Sequence, residues 1–443
     1  MRAGRGALVS STHEGNRVSE PPVRAPRYLG RFRCIGPACE DHCCAGWGGI
    51  DVDPPTAEAY RQLTVEGDQR AWLLNLVNQL QPNPEAWPDE GWPAALIPLP
   101  TAMPCPFFGD DHLCTIQGAL GEELLPSTCD TFPRQATQID GQIDLTGRLS
   151  CPEVARLALL ADDALAVEAV PADRRLTERG RFWVDRPWTD QPDEDDPRRQ
   201  YHLVRARSMA LLQQRAYPLA VRMLALGLAL SSLDGAGFRA ADAESTFDLA
   251  EQRLPSVSDW VEESGLGAGD GPGGPHRLLL RRTRRWIAMT ELPARYRRCV
   301  ERVRLGLGLP ADATTPLDGP LGERVGAEYT RARQRYLDPY LEHRPYLFEH
   351  LALNQIWLGT FPYHPERTFA EEHALLTFRI GLMRLHLVGA AAAEGGLTDD
   401  LVVETVQAFD KYVDGHQFWD RTMKLLRDEQ ALDPPSLAAL LLA

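Results

Sequence analysis

The chain has 443 residues, 44% hydrophobic and 25% charged, which are the proportions of a globular protein with room for two or three domains. A formal charge of −15 weighs against a nucleic-acid partner, since a phosphate-binding surface needs clustered positive charge. No apolar run reaches the length of a bilayer span; the most apolar stretch, Leu219 to Leu233, is short and broken by Arg222, so no membrane partner is expected.

In chain order, residues 1–26 are rich in Arg, Ser and Pro and lack the apolar centre of a secretory signal. They read as a disordered tail on a cytoplasmic protein. Residues 27–165 hold Cys34, Cys39, Cys43, Cys44, Cys105, Cys114, Cys129 and Cys151, and only Cys299 lies beyond them. Without export, disulfides are disfavoured, so this stretch reads as a cysteine-rich metal-binding domain.

Within it, Asp53-Pro54-Pro55-Thr56 starts an amphipathic helix running to about Leu80, and the proline-rich residues 81–104 form a loop. Asp110-Asp111-His112 marks a turn, and Leu120 to Leu125 holds one helical turn. Asp140-Gly141 between two alternating stretches predicts a β-hairpin over Thr131 to Gly147. Ser150-Cys151-Pro152-Glu153 fits a capping box opening a helix through Leu160.

Residues 166–198 read as a charged connector. Residues 199–443 read as an all-helical domain, with helix-period segments at 199–215, 218–233, 239–254, 276–289, 293–307, 321–341, 345–360, 367–394, 398–413 and 416–430, and a Gly/Pro-rich linker at 264–275. The expected fold is mainly α: a small cysteine-rich metal-binding N-terminal unit with a β-hairpin, then a large all-α domain.

Thiolates are soft ligands that suit zinc or iron–sulfur clusters. The spacings here, Cys34-x4-Cys39-x3-Cys43-Cys44 and Cys105-x8-Cys114-x14-Cys129-x21-Cys151, are not the Cys-x2-Cys knuckles of a zinc ribbon. Neighbouring side chains seldom chelate one tetrahedral ion together, so Cys43 and Cys44 face different sites or one of them does another job. The set supports either two four-thiolate sites or one site plus structural or redox cysteines. Cys299, alone in a helix, reads as a buried small hydrophobe.

The string Tyr28-x3-Phe32-x-Cys34-Ile35-Gly36-x2-Cys39-Glu40-Asp41-x-Cys43-Cys44-x-Gly46-Trp47 resembles the opening motif of the FliB family, the flagellin lysine-N-methylases. Cys105-Pro106-Phe107, Leu113-Cys114-x-Ile116-Gln117, Leu120-Gly121-Glu122, Thr128-Cys129-x2-Phe132-Pro133-Arg134 and Leu149-Ser150-Cys151-Pro152-Glu153-Val154-Ala155-Arg156 continue in the family's order. Tyr346-Leu347-Phe348-Glu349-His350-Leu351-x2-Asn354 with Phe361-Pro362 is similar to a downstream family segment, so the resemblance covers roughly 27–390. The cysteine pattern also resembles the CxxCxxCC group of zinc- or iron-chelating domains. The resemblance implies methylation of lysine side chains on flagellin or another surface-filament protein, with S-adenosylmethionine and a cysteine-bound [4Fe-4S] cluster, zinc being the alternative metal.

Glu263-Ser264-Gly265-Leu266-Gly267-Ala268-Gly269 matches the cofactor loop of Rossmann-type methyltransferases, but polar Pro255 to Trp260 precede it and Asp270 to Pro275 follow. Such a loop needs a buried strand before it and a helix after it, so a linker is the better reading. Any S-adenosylmethionine is then expected near the cysteine unit.

Methylating an amine requires a destination for one proton, and Glu40 and Asp41, inside the densest thiol motif, are the candidate catalytic carboxylates. Capping a turn in the cluster loop accounts for them equally well. Trp47 is a candidate aromatic wall. His42 is either a ligand of a mixed site or a turn histidine. Glu349, His350 and Asn354 share a helix and read as a core polar network or as catalytic groups. Arg277, Arg281, Arg282, Arg284 and Arg285 read as an exposed basic helix face. A metal-stabilised scaffold without catalysis, or a redox module, are the other functions this residue set allows. The sequence leaves the oligomeric state undetermined.

Overall fold

The computed structural model describes residues 23–44, 49–63, 68–82, 95–99, 105–171, 182–186, 188, 196–235, 240–266, 276–289, 292–317, 319–413 and 416–442. It is mainly α, with all the described strands in the N-terminal part and a large helical body after it. Among the described residues, eight strands form two sheets. β1 (Val23–Pro26), β5 (Arg134–Ile139), β6 (Gln142–Gly147), β7 (Val167–Val170) and β8 (Phe182–Arg186) make a five-stranded sheet in the order β7-β1-β6-β5-β8. β2 (Gly49–Val52), β3 (Gln81–Pro82) and β4 (Ala95–Pro98) make a three-stranded antiparallel sheet in the order β2-β4-β3.

The hairpin forms where Asp140-Gly141 predicts it. β5 and β6 pair from Arg134↔Gly147 to Ile139↔Gln142, and φ is +53° at Asp140 and +75° at Gly141, the left-handed pair that a two-residue turn requires. The sheet also takes in segments read otherwise from sequence. Val23–Pro26, assigned to the tail, is a strand running parallel to β6 and antiparallel to β7. The connector at 166–198 supplies β7 and β8. β7 is an edge strand whose first three residues are exposed, so it carries charge without cost and shows little of the apolar alternation that flags a strand. Residues 1–22 lie outside the described residues, as do 172–181, 187 and 189–195 of the connector.

Asp53 caps Pro54–Gln62, its carboxylate accepting from Thr56 N at 3.1 Å; a second helix, Asp68–Gln79, follows in place of one continuous helix to Leu80. The loop at 81–104 contributes β3 and β4, while its tryptophans lie outside the described residues. The helix after the hairpin is Pro152–Leu159. Its N-cap is Cys151 and no side chain caps it, so the capping box at Ser150 does not form.

From residue 201 onward the described residues contain helices and no strand. The predicted helical segments are all present, the 321–341 segment passing through a π-helical turn at Arg333–Leu337. Two helices were not expected, Leu254–Ser264 and Pro434–Leu442. The first decides the Rossmann-like string: a helix ending at left-handed Gly265 stands where a buried strand is needed. The central helix, Phe369–Glu394, has a capping box between Thr368 and Glu371 and closes at left-handed Gly395. It is long and apolar enough to cross a membrane, but 94% of its most apolar window is buried inside the protein, so it serves as the core helix.

The buried apolar residues fall into two clusters. A large one joins the helical body to β1, the hairpin and Pro152–Leu159. A smaller one, from Ile50 to Leu125, lies under the three-stranded sheet, with Cys105 and Cys114 packed against it.

Candidate metal centre

The cysteine loop is built from short backbone devices. Gly36 adopts φ +56° at the start of the 3-10 turn Gly36–Ala38, which closes when Cys39 N donates to Gly36 O at 3.0 Å. Cys39 Sγ donates to Asp41 O at 3.3 Å. Cys105 N donates to Cys44 O at 2.6 Å and splices the first cysteine segment onto the second. There Phe108 and Cys114 form a β-bridge around a turn at left-handed His112, where Leu113 N donates to Asp111 Oδ1 at 3.1 Å. The His42 ring centroid lies 4.6 Å from that of Phe108, tilted, and 4.9 Å from that of His112, edge-on. Asp53 also accepts from Ser127 N at 2.9 Å, fixing the start of the Ser127–Thr131 helix that carries Cys129.

None of the nine cysteines forms a disulfide. Cys43 and Cys44 hydrogen-bond each other, which lowers the pKa of Cys43 and raises that of Cys44; Lys411 adds to the lowering. Cys44 also feels the charges of Cys114 and Cys105, and Cys129 feels those of Cys114, Cys105 and Cys43. These five thiols therefore share one neighbourhood. Cys151 feels the charges of Cys39 and Cys43, its pKa pushed up to about 12 by burial. Burial also raises the thiols of Cys39, Cys105 and Cys114. Cys129 keeps surface exposure, yet its dense surroundings still raise its thiol. Cys34 is exposed and is not a principal charge partner of the other thiols.

Among the described residues, no three Cys, His, Asp or Glu side chains converge in a geometry that holds a metal ion. In kind, the donor set does fit a soft metal: apart from Cys43, whose ionisation the Cys44 hydrogen bond favours, the crowded thiols disfavour one another's ionisation, and a cation is what lets such a group ionise together.

Glu40 and Asp41 point toward the helical body. Glu40 Oε1 meets Arg156 Nη2 at 2.6 Å, and Glu40 O accepts from Arg295 Nη1 at 3.2 Å. Asp41 Oδ2 accepts from Gln407 Nε2 at 2.7 Å and from Lys411 Nζ at 2.9 Å, and Lys411 also reaches His42 O at 3.0 Å. The cysteine loop is thus clamped to three helices, Pro152–Leu159, Ala294–Gly306 and Asp399–Val413. Arg156, Arg295, Gln407 and Lys411 were not singled out from sequence; the one available signal was that lysine occurs only at 411 and 424. Trp47 lies outside the described residues.

Glu349, His350 and Asn354 are buried at 1% exposure each and form the polar network that their spacing suggested. Glu349 pairs with Arg215 at 2.9 Å and Arg222 at 2.6 Å, and His350 Nδ1 donates to Ala158 O at 2.9 Å. Asn354 Oδ1 accepts from the Tyr28 hydroxyl at 2.6 Å, which in turn accepts from Gly147 N at 2.7 Å. The network sews the first motif and the hairpin to the helical body. Cys299 is buried at 1% exposure, as read from sequence. On the basic helix, Arg277, Arg281 and Arg285 are exposed, but Arg282 and Arg284 turn inward, at 6% and 7% exposure.

A model described as the FliB lysine N-methylase C-terminal domain matches residues 205–440. A lysine-N-methylase of Salmonella typhimurium is 33% identical over 154 residues, 34% of this chain and 35% of that protein. The flagellar biosynthetic protein FliU of Salmonella muenchen is 32% identical over 151 residues, 34% of this chain and 84% of that protein. A lysine-N-methylase of Salmonella choleraesuis is 32% identical over 151 residues, 35% of its length. The matched stretch therefore spans about a third of each of the two lysine-N-methylases. No solved structure matches. With more than half of its length matched by that model, the chain belongs to the FliB lysine N-methylase family.

Proposed function

We propose that the chain is a protein-lysine N-methyltransferase that takes its methyl group from S-adenosylmethionine and acts on flagellin or another surface-filament protein. The observation that carries this reading is the lysine N-methylase match over 205–440, the same helical body onto which the cysteine loop is clamped. The names of the relatives, lysine-N-methylase and a flagellar biosynthetic protein, support the reaction and the filament substrate.

Cys105, Cys114 and Cys129, with one thiol of the adjacent pair Cys43 and Cys44, are the four donors we assign to an iron–sulfur cluster of the [4Fe-4S] kind, zinc being the alternative; the other thiol of the pair, Cys39 and Cys151 lie beside them and Cys34 apart. When bound, such a cluster supplies one-electron or Lewis-acid chemistry. The chain's own part is positional. The incoming lysine must be neutral and in line with the methyl group, and the site must keep water away. Glu40 and Asp41, proposed from sequence as proton acceptors, are each held by a cation. We assign them to fixing the cysteine loop on the helical body, because a carboxylate committed to an ion pair is a poor base.

The test is to incubate the purified full chain with methyl-labelled S-adenosylmethionine and an extract of its own cell, and to read lysine methylation by mass spectrometry. Label on lysines of a filament protein is expected. Absence of labelled lysine on any protein in the extract would leave the metal-stabilised scaffold as the better account.

A further inference from the structure

The helical body holds a second concentration of chemistry that the cysteine unit does not use. Its centre is Trp286, on the helix His276–Ile287. Trp286 lies 5.7 Å from the rings of both Tyr296 and His386, and 5.9 Å from Phe409 and Phe418. Arg282, one turn earlier and 6% exposed, lies over Trp286 at 5.3 Å and over Phe418 at 4.8 Å. Its Nε is buried without a hydrogen bond, and the contacts of its guanidinium among the described residues are these two ring faces. Burial, helped by the like charges of Arg285 and Arg421, lowers its pKa to about 10, while Tyr296 and Tyr412 act in the opposite direction. A buried cation without an anion is costly to keep.

The same nest leaves further polar atoms unsatisfied. The hydroxyl of Tyr296 and Nε2 of His386 are buried with no hydrogen-bond partner. His386 Nδ1 donates to Leu382 O at 2.7 Å, so Nε2 is left as an acceptor. Thr405 and Thr422, one turn from Phe409 and Phe418, have buried hydroxyls in the same condition. Each such atom costs about 1–3 kcal/mol, so apolar packing alone does not account for the choice of residues.

The unmet groups are an anion receptor, an acceptor and hydroxyls, set among aromatic faces that suit a cationic or planar ligand. We propose that this nest binds the amino-acid end of the methyl donor, its carboxylate on Arg282, its ammonium toward His386 Nε2 and the Tyr296 hydroxyl, and its sulfonium against the aromatic rings. The identity of the ligand rests on the methylase reading. The placement is consistent with access to the cysteine loop: Tyr296 stacks on the partly buried Tyr412 at 4.7 Å, and the next residue back, Lys411, holds Asp41 and His42.

The experiment is calorimetric titration of the full chain with S-adenosylhomocysteine and with 5′-methylthioadenosine, which lacks the amino-acid end. Wild type is expected to prefer S-adenosylhomocysteine. Arg282→Gln is expected to lose its affinity for it at least tenfold, leave 5′-methylthioadenosine unchanged and keep or raise the melting temperature, since an unpaired buried charge has been removed. Tyr296→Phe, which preserves the packing, is expected to weaken S-adenosylhomocysteine several-fold and serves if Arg282→Gln does not fold. Binding of S-adenosylhomocysteine at wild-type strength by the folded variants overturns the site and leaves the methylase reading standing. Failure of wild type to bind it overturns that reading, and the donor assignment with it.

Discussion

Asp41 meets Lys411 with both side chains less than a fifth exposed, and Gln407 completes the contact. Removing either charge leaves the other without its main partner at a protein–protein seam inside one chain. Asp41→Asn and Lys411→Met are each expected to cost about 1–3 kcal/mol of stability, and the double variant less than their sum, as read by denaturant midpoints in a double-mutant cycle. A full additive loss would show that the pair does not clamp the loop.

His373 and His386 give the fold a pH dependence. Both are fully buried and burial lowers each from 6.5 to about 4. The unfolded chain takes up protons below about 6.5, whereas the folded chain holds both rings neutral to about 4. Stability is therefore fully present above 6.5 and falls as pH drops through that window, by up to about 1.4 kcal/mol per pH unit for each ring. His373→Gln should flatten the loss between pH 7 and pH 5; an unchanged slope would contradict it. At this scale the cysteines were legible because their clustering is visible in a string. Lys411 and Arg156 were not, because each takes its meaning from a partner more than a hundred residues away, and Arg282, read as part of an exposed basic face, turns inward onto the distant Phe418.

Among the elements, those fixed by local chemistry were readable. The Asp140-Gly141 turn, the Asp53 cap and the helix periods each depend on neighbours a few residues apart. β1, β7 and β8 escaped because short strands at or near a sheet edge are specified by the strand they join. Leu254–Ser264 escaped because polar and proline residues at its start resemble a linker, although proline is at home in a helix's first turn.

One helix crossing depends on glycine. A Cβ on Gly306 would strike the carbonyl oxygen of Gly389, and a Cβ on Gly389 would come 2.9 Å from Val303 Cα. The helix Ala294–Gly306 thereby approaches the core helix Phe369–Glu394 backbone to backbone. Gly306→Ala and Gly389→Ala should each destabilise by about 1–3 kcal/mol, measured by thermal unfolding. A gain in stability, the usual result of replacing glycine within a helix, would contradict the close approach.

Across the whole molecule, the sequence divides the chain at the end of the cysteine-rich stretch, but its buried core divides differently. The hairpin, β1 and Pro152–Leu159 share one apolar cluster with the helical body, and among the described residues the region from Ile50 to Leu125 has its own. The thiols of Cys105 and Cys114 belong to that smaller core, whereas the loop with Cys39, Cys43 and Cys44 is pinned to the helices. The proposed centre therefore lies where the two cores meet, and a metal bound there would tie one to the other.

The central claim is that these thiols together hold a soft-metal group. It is tested most directly by the iron, zinc and acid-labile sulfide content of the anaerobically purified full chain, measured beside Cys105→Ala, Cys114→Ala and Cys299→Ala. The account predicts stoichiometric iron and sulfide in wild type and Cys299→Ala, and their loss in the other two. Metal-free wild type, or metal content unchanged in Cys105→Ala and Cys114→Ala, would contradict the claim, and stoichiometric zinc without sulfide would contradict the cluster.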